Sequence, residues 1–320
     1  MKAASRDGKP GLADFVRCVA ASTPLRSAQN DKRMKDVARL AAYFVATILI
    51  GALLAPPLFW LAQWQFPSLA KFGFETFFHR ALLIAAAAML WPFLRFTNAR
   101  RITDLDLAPN PQWSRDLLAG FLVAAIPLLC CGVVLVALHF YSWRHVFSWP
   151  AFGKTALASM AVPFIEEPFF RGIVLGILLR TGWKYMSVLS TSALFSIVHF
   201  LKAPARTSEI VTWVSGFNSI AHSFDRFADL MLVAAAFTTL FFIGWILADA
   251  RVRTRSLWLP IGLHAGWIFA AGTFNAAARR EIIALPWLGK NLLVGIVPLI
   301  VASLTWLIIF LWLKHDRTKT

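Results

Sequence analysis

Residues 164–172 read FIEEPFFRG, inside an apolar run from about Ala156 to Leu179. Glu166, Glu167 and Arg171 therefore sit near the middle of a segment long enough to cross about 30 Å of hydrocarbon as a helix. An ionised carboxylate at that depth costs at least about 2.5 kcal/mol. Such a residue faces a protein interior or a water-filled cavity, and it marks a functional site by default. Helical geometry separates the two glutamates. Glu167 and Arg171 are i and i+4 and can pair, whereas Glu166 points about 100° away and stays free for chemistry. Pro168 removes an N–H and loosens the helix at this point.

The rest of the chain fits the same reading. Of 320 residues, 58% are hydrophobic and 15% charged, and the mean hydropathy is +0.64. A soluble domain has about 45–50% apolar and about 25% charged residues. Because the excess lies in long blocks and lipid demands internally bonded backbone, the expected fold is all-α, a polytopic membrane protein of about eight helices. Their expected bounds are 39–62, 80–97, 116–140, 155–180, 187–202, 228–249, 257–276 and 291–313, with Pro56-Pro57 marking a kink or an end. The organisation read from them is a basic cytoplasmic tail (1–38), three N-terminal spans (39–150), a core carrying the chemistry (151–276), and a last span with its tail (277–320). Residues 1–36 lack the apolar stretch of a signal peptide.

The net charge is +16, which in a soluble protein would suggest nucleic acid. Here Lys and Arg gather at segment ends: in 2–39, in NARR (98–101), at Arg251, Arg253 and Arg255, and in KHDRTK near the C-terminus. The positive-inside rule then puts both termini in the cytoplasm. The basic ends are expected to face anionic lipid headgroups, so the bilayer is the implied partner and nucleic acid is not. Trp60, Trp64, Trp113, Trp183, Trp258 and Trp312 fall near span ends, as an interfacial belt does. Cys18 lies in the tail, and Cys130 and Cys131 are adjacent in one span. No disulfide framework is expected.

Of seven histidines, His199 and His264 lie well inside spans. His139 and His145 lie at and beyond the outer end of the third, and His79 and His222 in outer loops. Counting about 1.5 Å per residue from the cytoplasmic helix ends puts Glu166 roughly 21 Å deep, His199 roughly 18 Å and His264 roughly 11 Å. Phe195, one turn before His199, is expected to wall its imidazole. A lone intramembrane histidine is usually an interhelical hydrogen bonder. Two histidines and a free glutamate at compatible depths can instead activate water for hydrolysis.

These residues resemble the CAAX-protease and bacteriocin-processing (CPBP, or Abi) family of intramembrane proteases. EEPFFR matches its EExxxR motif, FSIVH (Phe195 to His199) matches FxxxH, and GWILADARVRTRSLWLPIGLHAGW is similar to its third region. The resemblance covers about residues 150–276. It implies an endopeptidase that hydrolyses a peptide bond of a membrane-associated protein or peptide, prenylated only if the host makes such proteins, in a bacterial cytoplasmic membrane. It further implies that Glu166 is the catalytic carboxylate, Glu167 and Arg171 complete its motif, His199 acts on the water and His264 stabilises the oxyanion. A metal-free glutamate mechanism fits these residues. So does a zinc site of Glu166, His199 and His264 with an open position. The family's third motif is often HxxxN, and here Ile268 stands in place of Asn, with Asn275 eleven residues beyond His264. That departure keeps a non-catalytic immunity or scaffold protein of the same fold in view. A proton-coupled transporter is the remaining alternative, against which the absence of an inverted repeat counts.

Overall fold

The computed structural model describes residues 12–69, 71–97, 101–200, 210–282, 284–289 and 291–317. The basic residues of 2–11, most of NARR and the last three residues lie outside that set, as does the side chain of Cys18.

The chain is a helical bundle. Helix α1 (Leu12–Gln65) is followed by α2 (Phe74–Phe96) and α3 (Trp113–Ala137). Helix α4 (Trp149–Glu167) starts with Pro150 in its first turn, where a missing N–H is harmless. It continues through a π-helical stretch, Pro168–Val174, into α5 (Leu175–Leu179). Gly182, at φ +87°, turns the chain into α6 (Lys184–Phe200). Helix α7 (Ser215–Ser223) and the short α8 (Leu230–Leu232) lead through a second π-helical stretch, Val233–Phe237, to α9 (Thr238–Thr254). Helices α10 (Trp258–Ala277) and α11 (Ile296–Arg317) complete the bundle. Strands β1 (Tyr141–Trp143) and β2 (Ala278–Arg280) pair antiparallel, Tyr141 opposite Arg280, and tie the end of α3 to the end of α10.

Among the described residues, five helical segments are long and apolar enough to cross a membrane: Asp31–Gln65, Phe74–Phe96, Trp113–Ala137, Leu230–Thr254 and Ile296–His315. The all-α polytopic fold stands, but the count of eight spans does not follow from length and apolarity. Three of the eight expected segments do form helices, yet fall short as apolar spans: the one broken by the π-helical stretch, the 17-residue α6, and α10. These three carry Glu166, His199 and His264. Exposed stripes such as Val45, Ile48, Leu49 and Leu53 on α1, or Ile300, Leu304, Leu307 and Leu311 on α11, are larger than a soluble surface tolerates and suit a lipid-facing wall.

Several boundaries move. The first helix begins at Leu12, inside the segment expected to be a tail, and Asp36 is fully buried with an ion pair to Arg180. Pro56-Pro57 do not end α1, which runs on to Gln65. Pro56 has no N–H to offer Ala52, and that freed carbonyl is where α7 approaches. A Cβ on Gly216 would lie 2.0 Å from the Ala52 oxygen, so only glycine allows the contact. His79 lies within α2 rather than in a loop. Arg251 does not face headgroups: it is fully buried, because it bonds inward to backbone carbonyls and Asp106.

The helix carrying His264 is held by small residues. Gly262 and Gly266 of α10 are four apart, and Gly120 of α3 lies opposite. A Cβ on Gly262 would come within 2.1 Å of the Leu117 carbonyl oxygen, and one on Gly266 within 2.4 Å of that of Phe121. This is the close backbone approach that small-xxx-small spacing permits in membranes. Gly262→Ala is therefore expected to destabilise by about 1–3 kcal/mol through overpacking against backbone. Thermal unfolding in detergent measures this, and a melting temperature equal to wild type would show that the two helices separate freely.

Candidate active site

Glu166 and Glu167 end α4 just where Pro168 starts the π-helical stretch. A proline inside a helix blocks the regular ladder, and a π-bulge is one way to absorb it, frequently at functional sites. The two carboxylates diverge as helical geometry requires. The Glu167 side chain is fully buried, while that of Glu166 keeps 26% exposure.

Glu167 Oε1 accepts two bonds, from Arg171 Nη1 at 3.0 Å and from His264 Nδ1 at 2.7 Å. Arg171, also fully buried, donates Nη2 to the Gly244 carbonyl at 3.2 Å. Its guanidinium lies 4.3 Å from the centre of the Phe195 ring. Gly244 leaves room for that contact, since a Cβ there would press to 3.2 Å from both Phe195 and the Ser192 backbone.

His199 is fixed from both sides. Its Nδ1 lies 2.8 Å from the Phe195 carbonyl oxygen, and its Nε2 lies 3.1 Å from Glu166 Oε2. A carbonyl oxygen only accepts, so Nδ1 carries a proton. One further proton then lies between Glu166 and His199 Nε2, on one or the other. The Phe195 ring packs against the imidazole at 4.1 Å between centres, as its place one turn earlier suggested.

His264 is buried, 7% exposed. With Nδ1 donating to Glu167, its Nε2 points at Glu166 Oε2 across 4.0 Å. Thus Glu166 Oε2 has His199 on one side and His264 on the other. The structure brings together Glu166, Glu167, Arg171, His199 and His264, from three helical segments.

Among the described residues, no group of three or more His, Cys, Asp and Glu is arranged to hold an ion.

Arg251, expected to face headgroups, supports the site instead. Its Nε donates to the Arg171 carbonyl at 3.1 Å, and its Nη1 reaches Asp106 at 3.3 Å. Nη2 bonds the Leu105 carbonyl. Gly244 and Arg251 are seven apart on α9, on one face. Helix α9 therefore holds Arg171 twice, by a carbonyl to its side chain and by a side chain to its carbonyl. That seven-residue spacing was readable. The loop that meets it, held by Asp106 at φ 57° and by Arg255 Nη2 at 2.7 Å from Asp106 Oδ1, was not.

Residues 147–270 match the family model described as Rce1-like, type II CAAX prenyl endopeptidase Rce1-like. All five clustered residues lie within the match; α1 to α3 and α11 lie outside it. No curated protein matches, and no solved structure does.

Proposed function

We propose, from the CPBP/Abi (Rce1-like) family to which residues 147–270 belong, that this chain is an intramembrane endopeptidase in which Glu166 activates water without a resident metal. The observation that carries this reading is the pair of contacts on Glu166 Oε2, His199 at 3.1 Å and His264 at 4.0 Å.

For the reaction Glu166 acts as the carboxylate, with His199 Nδ1–H on the Phe195 carbonyl and Nε2–H on Glu166. A water bound at Glu166 gives it a proton as the water oxygen bonds to the substrate carbonyl carbon. The carbonyl π bond opens and its oxygen becomes an oxyanion. His264, held at Nδ1 by Glu167, is placed to donate Nε2–H to that oxyanion. As the tetrahedral species collapses, the C–N bond breaks and the leaving amine takes the proton held by Glu166. The products are a carboxylic acid and an amine. Glu167 and Arg171 orient His264 and touch no substrate.

The proposed substrate is a membrane-associated protein or peptide, prenylated only where the host prenylates proteins. The proposed setting is a bacterial cytoplasmic membrane with both termini inside, on the Lys and Arg distribution. The test is cleavage of a proteome-derived peptide library, with prenylated CAAX peptides included, by purified protein and by its Glu166→Ala variant. New termini made by wild type alone support the reading. Identical peptide patterns would favour the scaffold alternative, and activity lost to a chelator would return zinc to the site.

Ile268 tests the oxyanion assignment. It lies one turn beyond His264 and is half-buried, where relatives often carry Asn. If His264 is the sole side-chain donor, Ile268→Asn is expected to raise kcat about tenfold, less than the roughly 3–4 kcal/mol of a well-placed donor. Steady-state kinetics alongside Ile268→Ala decide this. Equal losses in both variants would make Ile268 a packing residue and send the search for a second donor elsewhere.

A further inference from the structure

A second concave site lies away from the glutamates, at the other end of α5. A groove of about 470 Å³ opens between α1 and the turn joining α5 to α6. Val37 of α1, Leu178 of α5 and Met186 of α6 form its apolar wall, and Arg33, Trp183 and Ser190 supply its polar edge.

Among the described residues, no acidic group forms an ion pair with Arg33. The nearest acid on its helix face is Asp36, one turn on, but both oxygens of that carboxylate are taken. Oδ1 accepts from Arg39 at 3.0 Å and Oδ2 from Arg180 at 3.0 Å, and Asp36 is fully buried. No described residue accepts a bond from Arg33, which is itself half-buried. An uncompensated guanidinium beside an apolar wall calls for an anion with an apolar body.

The position says which one. Arg33 lies at the start of the spanning segment Asp31–Gln65. Trp183, 68% exposed, stands at the mouth as interfacial tryptophans do at headgroup level. Met34 and Met186, 61% and 55% exposed, continue the apolar wall outward. A free phosphate would leave that wall unused, and its volume is in the range of sites for whole small molecules. We propose that this groove binds one anionic phospholipid, its phosphate on Arg33 and the upper part of an acyl chain against Val37, Leu178 and Met186.

The proposal is independent of the protease reading and is tested on binding. Full-length protein in detergent, stripped of co-purified lipid, is titrated with phosphatidylglycerol or with phosphatidylcholine of the same chains, and bound lipid is counted by native mass spectrometry. One phosphatidylglycerol should bind in preference to phosphatidylcholine. Arg33→Gln should weaken it about fivefold, the share expected of one basic residue at a membrane surface. Lys35→Gln removes the same charge about 200° round the helix and should change nothing. Val37→Trp, which fills the groove and leaves every charge in place, should also weaken binding. Equal losses in Arg33→Gln and Lys35→Gln would reduce the effect to net charge and overturn the site. Equal binding of the two lipids, or displacement by millimolar inorganic phosphate, would overturn it as well.

Discussion

Glu166→Gln is expected to lower kcat on a cleavable peptide by on the order of 10³-fold while leaving the melting temperature close to that of wild type. A positioned general base contributes about 10²–10⁴, and an amide cannot take a proton from water at any working pH. The fold should not register the change, because Glu166 keeps about a quarter of its side chain exposed and, among the described residues, its hydrogen bond is to His199. The Gln amide can still hydrogen-bond Nε2, so no buried group is orphaned. The measurements are single-turnover cleavage and thermal unfolding on the same detergent preparation. A variant within tenfold of wild type would remove Glu166 from the chemistry. A large fall in both kcat and melting temperature would make it a structural residue, and the water would need another base. Chelator added to wild type separates this from zinc chemistry, since a glutamate-activated water is indifferent to it.

The site was more legible in the sequence than the architecture around it. A charge in hydrocarbon stands out against its neighbours, so the motif at 166–171 and the two deep histidines could be found by reading alone. Their assembly depended on three helices meeting at one depth, which counting residues approximated. Arg251 was misread for the same reason that Arg171 was noticed. A basic residue among others at a span end looks like a headgroup contact, and nothing local shows that Leu105 and Asp106, some 145 residues earlier, fold over it. The four-residue spacing of Gly262 and Gly266 was visible but was absorbed into the motif around His264. Only the contact with α3 shows that the glycines set the helix distance and the histidine sits on the helix so placed. The start of α1 at Leu12 had no signal in a polar, charged stretch, since hydropathy finds spans and not the helical extensions beyond them.

Arg171→Ala is expected to be the most destabilising single change, on the order of 3–5 kcal/mol, because it strands a buried carboxylate. Glu167 and Arg171 both have fully buried side chains, and they are 3.0 Å apart. Truncating Arg171 also leaves the Gly244 carbonyl without its donor and takes the cation from the Phe195 ring. The alternative is that Glu167 picks up a proton and its remaining partner, His264 at 2.7 Å, is enough. The two cases differ in the double variant. If the stranded charge carries the loss, Arg171→Ala with Glu167→Gln should melt above Arg171→Ala alone, and the cycle should show a coupling of about 1–3 kcal/mol. Additive losses would mean that Arg171 acts through packing and the Gly244 carbonyl instead. Arg171→Lys keeps the charge but offers one ammonium point in place of a fork that spans Glu167 and Gly244, so it should recover only part of the stability. Should Arg171→Ala and Glu166→Gln melt alike, the division of labour between the adjacent glutamates, one buried to orient His264 and one left open to water, would have to be abandoned.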